Sequence, residues 1–167
     1  MSIALATSSV FAQLTWLPVP SAPNEVRIED ISFINNTSGF LEANDTIYKT
    51  TDAGLTWSMT GSFPPAYVRS IEFINDSVGF IGTLQQNPTP AGIFKTTDAG
   101  ASWTNLNSSL STPPLWGICG IAHFNNSVVA VGSVMTESNL YYSHDAGNSW
   151  THISLNAYAN ALIDVYM

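Results

Sequence analysis

An all-β fold built from repeated four-stranded antiparallel units is what this sequence predicts, and three observations carry that expectation. One phrase recurs in phase: TTDAGLTW occupies residues 50–57, TTDAGASW residues 96–103 and SHDAGNSW residues 143–150. Its aspartates, Asp52, Asp98 and Asp145, stand 46 and 47 residues apart, and a glycine (Gly54, Gly100 or Gly147) follows each two positions on. A period of that size marks a repeat architecture in which each unit is one supersecondary element. The chain between the phrases repeats as well, with an apolar segment ahead of every copy. Finally, no window sustains the three-four apolar spacing of a helix, while Gly, Pro and Asn punctuate the chain every few residues.

In chain order, residues 1–12 (MSIALATSSVFA) contain a short apolar stretch ending in Val10-Phe11-Ala12, the small-residue pattern of a signal-peptidase site before Gln13. The stretch lacks a positively charged start, so the expectation is a truncated signal peptide and an exported protein that is secreted, periplasmic or on the cell surface. LTWLPVP (14–20) matches LTWSMTGSFPP (55–65) and ASWTNLNSSLSTPP (101–114): a Trp-bearing strand, then a Pro-containing connector. No aspartate phrase precedes it, so it reads as a strand that closes another unit.

The first full unit spans 26–60. VRIEDISFINNTSGFLEAN (26–44) reads as two strands around Asn35-Asn36, TIYKT as a third, and the strand after the Asp52 turn carries Trp57. The second spans 66–106, with VRSIEFINDSVGFIGTL (68–84) around Asn75-Asp76, then GIFKT, then Trp103. The third spans 116–154, with WGICGIAHFNNSVVAVGSV (116–134) around Asn125-Asn126, then LYYSH, then Trp150. In each hairpin the first strand is nearly continuous in apolar and β-branched residues and the second alternates, while Asn and Asp suit the left-handed conformations of the turns. ALIDVYM (161–167), with Ile163 in phase with Ile31, Ile71 and Ile121, reads as the opening strand of a further unit.

Four short antiparallel strands in about 40–50 residues make a propeller blade. Residues 13–167 are thus expected to form about three blades, an incomplete ring where closed propellers have about 4–8. A piece of a longer protein is the expectation. Assembly of copies through open blade edges is the other account.

The repeated phrases resemble the Asp-box or BNR repeat, Ser/Thr-x-Asp-x-Gly-x-x-Trp, and all three copies match it. Paired with the preceding IxFIN-x-x-x-GF hairpin, they look most like the photosystem II assembly-factor type of propeller and its bacterial secreted relatives, over residues 14–167. Sialidases, sortilin-type receptors and some xyloglucanases share the box, so the resemblance specifies fold far better than function. It implies that Asp52, Asp98 and Asp145 brace turns, that the glycines supply positive φ, and that Trp57, Trp103 and Trp150 are buried between neighbouring sheets.

Charge narrows the partners. Twelve acids against four bases (Arg27, Lys49, Arg69 and Lys95) leave a net charge of -8, in a chain that is 45% hydrophobic with a mean hydropathy of +0.13. Nucleic acid and anionic membrane surfaces need clustered Lys and Arg that are absent here, and no apolar run is long enough to span a bilayer. Each phrase offers a single acid, whereas calcium loops gather several oxygen ligands, so no metal and no cofactor are expected. Cys119 is alone in an apolar setting, as a structural thiol would be. His123, His144 and His152 lack metal-ligand spacing.

Arg27 and Arg69 precede or open the first strands of successive blades, and Tyr67 and Trp116 hold similar places. These four are the candidate ligand-facing residues, with salt bridges to Glu25, Glu29 or Glu72 and inter-blade packing as their structural alternatives. No residue is assigned a catalytic role. The composition thus favours a non-catalytic scaffold binding a protein or carbohydrate ligand. The resemblance keeps open a second reading, part of a sialidase-like or other glycoside hydrolase whose remaining active-site residues lie in other blades. Sialidase-type sites use an arginine cluster, and two arginines do not complete one.

Overall fold

The computed structural model describes residues 19, 22–24, 27–86, 90–114, 116–132 and 138–167. The expected leader (1–12) and all but Val19 of the expected closing strand (14–20) lie outside them, as does Glu25.

Within the described residues the chain forms three four-stranded antiparallel sheets, each a simple meander. The first blade comprises β1 (Ile28–Phe33), β2 (Gly39–Ala43), β3 (Thr46–Thr50) and β4 (Ser58–Ser62). The second comprises β5 (Tyr67–Phe73), β6 (Gly79–Leu84), β7 (Gly92–Thr96) and β8 (Thr104–Asn105). The third comprises β9 (Gly120–Phe124), β10 (Ser127–Gly132), β11 (Asn139–Ser143) and β12 (Thr151–Ser154). A single 3-10 turn, Asn107–Ser109, is the helical structure among them. Residues 161–167 form no strand, but they run beside β9, where a Cβ on Gly120 would meet the backbone of Asp164.

Local chemistry sets the hairpins. Asn35 Oδ1 accepts the N–H groups of Thr37 and Ser38, and Asn75 Oδ1 those of Ser77 and Val78, so these asparagines act through their side chains. Asn125 alone among the first-hairpin asparagines takes a left-handed backbone, at φ 53. Both loop residues are left-handed instead at Asn44-Asp45, φ 54 and 63, which joins β2 to β3 in two residues.

The apolar layers lie between blades. Phe40, Ile47, Phe63, Val68, Ile71, Phe73, Ile81 and Phe94 fill the space between the first two, where the rings of Phe40 and Phe73 stack with centroids 3.5 Å apart. Phe80, Ile93, Leu110, Ile118, Ile121, Val128, Ala130 and Tyr141 fill the next. β2 is buried at every position, while β1, at the edge of its sheet, is largely exposed or half-buried.

First strands run side by side and are tied by side chains. Asp30 Oδ2 accepts from Ile71 N at 3.0 Å, Ser32 Oγ from Phe73 N at 3.0 Å and Ser70 Oγ from Ile121 N at 2.9 Å. Each link satisfies a backbone donor that faces no partner strand. Blades also approach closely further out. A Cβ on Gly61 of β4 would run into the carbonyl of Gly100, so no side chain fits there.

Both outer faces of the stack are apolar. Ile31 and Phe33 of the first blade are exposed, whereas Ile71 and Phe73, their counterparts in the second, are buried by β2. Phe124 is exposed at the far side, while Ile34 and Ile74, which match it in the repeat, pack into the two inter-blade layers. The same residue type in the same blade position should therefore carry different energies. Phe73→Ala should cost about 3–5 kcal/mol in urea denaturation, and Phe33→Ala less than about half of that. Equal losses would show that the first blade's outer face is covered in solution.

Candidate functional site

The aspartate turns are alike to the level of individual atoms. Thr50 Oγ1 donates to Asp52 Oδ1 at 2.8 Å and accepts from Gly54 N at 2.9 Å. The carboxylate accepts from Thr56 twice, from N at 2.8 Å and from Oγ1 at 2.5 Å. Thr96, Asp98, Gly100 and Ser102 repeat the set, as do Ser143, Asp145, Gly147 and Ser149. Every oxygen is occupied by the turn itself. The Thr56 hydroxyl, ahead of its N–H, holds the Asp52 carboxyl below its ordinary value, and Ser149 does the same to Asp145. Ser102, followed by Thr96, takes Asp98 down to about 2.

Two parts of this turn escape the sequence. The hydroxyl at positions 56, 102 and 149 is present in all three copies, and that recurrence is the readable sign of its role. The alanines Ala53, Ala99 and Ala146 take positive φ (62, 61 and 56) beside glycines at 86, 87 and 72. Alanine carries no mark of that conformation. The tryptophans prove half-buried rather than buried. Trp103 and Trp150 donate from Nε1 to the carbonyls of Gly100 and Gly147, which keeps one ring edge outward. Trp150 meets Phe80 of the preceding blade edge-on, whereas Trp57 meets Phe33 of its own.

Two polar grooves flank the first strand of the second blade. One, of about 220 Å³, lies between the first two blades. Arg27 and Tyr67 come together there, the guanidinium carbon 4.3 Å from the ring centroid, and Arg27 also pairs with Glu29. Glu42 lines the floor of the same groove and is 2% exposed. Its Oε1 accepts from Asp45 N at 2.7 Å. Burial, only partly offset by that bond, pushes its carboxyl up to about 7.

The second groove, of about 320 Å³, crosses the first strands of all three blades and is lined by Asp30, Arg69, Cys119, Gly120 and Asp164 among others. Arg69 makes no ion pair among the described residues. Burial raises the Asp30 carboxyl against the hydrogen bonds it accepts from Ile71 and Ile31. Trp116 is 52% exposed at the start of the third blade, and its carbonyl accepts from Gln85 N. The four candidate ligand-facing residues thus divide: Arg27 and Tyr67 share one groove, Arg69 lines the other, and Trp116 stands apart from both.

The remaining polar candidates are engaged. His123 Nδ1 lies 2.6 Å from Glu72 Oε1, Ser127 Oγ 3.1 Å from His144 Nδ1, and His152 Nε2 2.8 Å from Asn139 Oδ1. Cys119 is buried. No cluster of three His, Cys, Asp or Glu side chains among the described residues is placed to hold a metal ion.

Residues 9–161 match the family model described as photosynthesis system II assembly factor YCF48, and the chain belongs to that family of BNR propellers. No curated protein is significantly similar to it in sequence. Among solved structures, one described as YCF48 bound to D1 peptide aligns at 26% identity with a TM-score of 0.53, over 75% of this chain and 39% of that one. An ancestral GH74 enzyme aligns at 18% identity with a TM-score of 0.63, over 93% of this chain and 21% of that one. The GH74 xyloglucanase from Xanthomonas campestris aligns at 17% identity with a TM-score of 0.51, over 70% and 19%. At those identities the GH74 likeness is one of fold. This chain spans less than half the length of each structure.

Two tests follow from the turn and the groove. Ala53 is exposed in a left-handed conformation, so Ala53→Gly should raise stability by about 0.5–1 kcal/mol in urea denaturation, the relief of the Cβ clash less the entropy of glycine. The two carboxyls should act on stability in opposite pH ranges. Asp98 has a lowered folded value, so its contribution is present above about pH 4 and is lost as pH falls through about 2. Glu42 has a raised value, so its contribution is present below about pH 4.5 and is lost as pH rises through about 7. Thermal midpoints taken across pH should show Asp98→Asn flattening the acid limb and Glu42→Gln the neutral one.

Proposed function

We propose that this chain is a non-catalytic, exported propeller segment that binds an extended peptide of a protein partner across the two grooves beside the first strands. The observation that supports this most is family membership together with the relative described as bound to a D1 peptide, at 26% identity. The surface supplies suitable chemistry: in the grooves, Arg69 with no ion-pair partner among the described residues and a stacked Arg27 and Tyr67, and outside them an exposed Trp116. Guanidinium and indole groups are the side chains that most often anchor peptide and protein interfaces. Export is argued from residues 1–12 alone.

A hydrolase reading draws no support from the three repeated aspartates. The aspartates of the turns are saturated by their own hydroxyls and N–H groups, which leaves no oxygen directed at a substrate. A carbohydrate ligand has no specific observation in its favour.

A synthetic peptide array probed with the labelled protein tests the proposal. A reproducible subset of peptides should bind, and Arg69→Ala and Trp116→Ala should each weaken that binding by about tenfold or more. Xyloglucan oligosaccharides and a fluorogenic sialoside should show no turnover. Turnover, or peptide binding indifferent to both substitutions, would overturn the assignment.

A further inference from the structure

Glu42 interrupts the repeat. Its register partners in the next two blades are Gly82 and Val131, since Leu41, Ile81 and Ala130 all face the first-strand isoleucines Ile31, Ile71 and Ile121. Blade architecture therefore does not call for an acid at this position. Only half of the carboxyl group has a structural partner, because Oε1 takes the N–H of Asp45 while Oε2 is buried with no hydrogen bond among the described residues. A buried acceptor left in that state is costly, and it is most costly when ionised.

The groove above it explains what would complete the pairing. Arg27, Glu29, Glu42, Asp45 and Tyr67 line it. Three carboxylates thus face one guanidinium, and Arg27 is already committed to Glu29 and to the Tyr67 ring. Asp45 accepts from Ala66 N at 3.3 Å. A metal ion does not fit, since these acids do not converge as a ligand set. A single cationic donor entering the groove would supply the partner that the buried oxygen lacks and would offset the excess of carboxylates there.

Building on the peptide-binding reading, we infer that this groove receives the charged head of a lysine or arginine side chain of the bound peptide, with Glu42 as its buried counter-ion. The groove then acts as a specificity pocket within the wider surface. Binding expels a proton from Glu42, so the interaction is linked to pH. The groups that set this linkage are Asp45 from the β2–β3 turn, Glu29 from β1, Arg27 ahead of β1 and Tyr67 from β5.

The test uses a probe that needs no knowledge of the peptide: N-acetyl-lysine N-methylamide, with the norleucine analogue as the matched compound lacking the amine. Carbon-detected NMR on glutamate-labelled protein follows the Glu42 carboxyl. The lysine probe should shift that resonance and bind at least tenfold more tightly than the norleucine probe. Its dissociation constant should be roughly tenfold larger at pH 6 than at pH 8, because a carboxyl that titrates near 7 must first be ionised. Glu42→Gln keeps the acceptor for Asp45 N, and its urea midpoint checks that it folds. It should abolish the preference for lysine.

Equal binding of the two probes, or unchanged lysine binding in folded Glu42→Gln, overturns the inference. On the peptide array, binders without enrichment in lysine or arginine also overturn it while leaving the peptide-binding reading intact. Lysine-probe binding with no array binders sinks the peptide reading and sustains the pocket.

Discussion

Phe40 and Phe73, with rings 3.5 Å apart and 6° from parallel, sit at the contact on which the remaining structure depends. A four-stranded meander of this size has two faces and cannot bury either by itself. Pressing the second-strand face of one blade onto the first-strand face of the next removes both from water together, and the apolar layers between blades serve as the core. The other features arrange themselves around that contact. Glycine at 61 lets two backbones approach, the acceptors on Asp30, Ser32 and Ser70 occupy the N–H groups of the next first strand, and the aspartate turns fix the outer corner from which each tryptophan extends.

What could be read in advance follows from which features repeat. The Asp, Gly and Trp of each phrase recur at fixed offsets, so the turn and the four-strand unit were legible without coordinates. The Ala53, Ala99 and Ala146 backbones were not, because left-handed alanine is imposed by the hydrogen bonds closing on either side of it and has no preference of its own to betray it. The full burial of β2 was not legible in its alternating sequence, since alternation is the pattern of a sheet with one wet face. Glu42 was legible only by subtraction, as the residue that fails to match Gly82 and Val131 once the strands are placed in register.

Carboxyl groups in this chain divide into two kinds that composition alone treats as one. Those of the turns are surrounded by donors and are stabilised as anions at the surface. The one beneath the Arg27–Tyr67 groove is surrounded by packing and is stabilised as a neutral acid. A net charge of -8 therefore overstates the uniformity of the surface near neutral pH.

The two faces of each blade are unlike, one led by Phe40 or Phe80 and the other by Phe33 or Phe73. An interface between unlike faces is directional, so it can be copied without being reinvented. Duplicating the stretch of gene that encodes one blade delivers a newcomer whose leading face already fits the blade before it and whose trailing face already fits the blade after it. Changes in blade number are thus evolutionarily inexpensive, while divergence is free to collect at positions such as 42, where one copy departs from its siblings and the shared contact does not suffer.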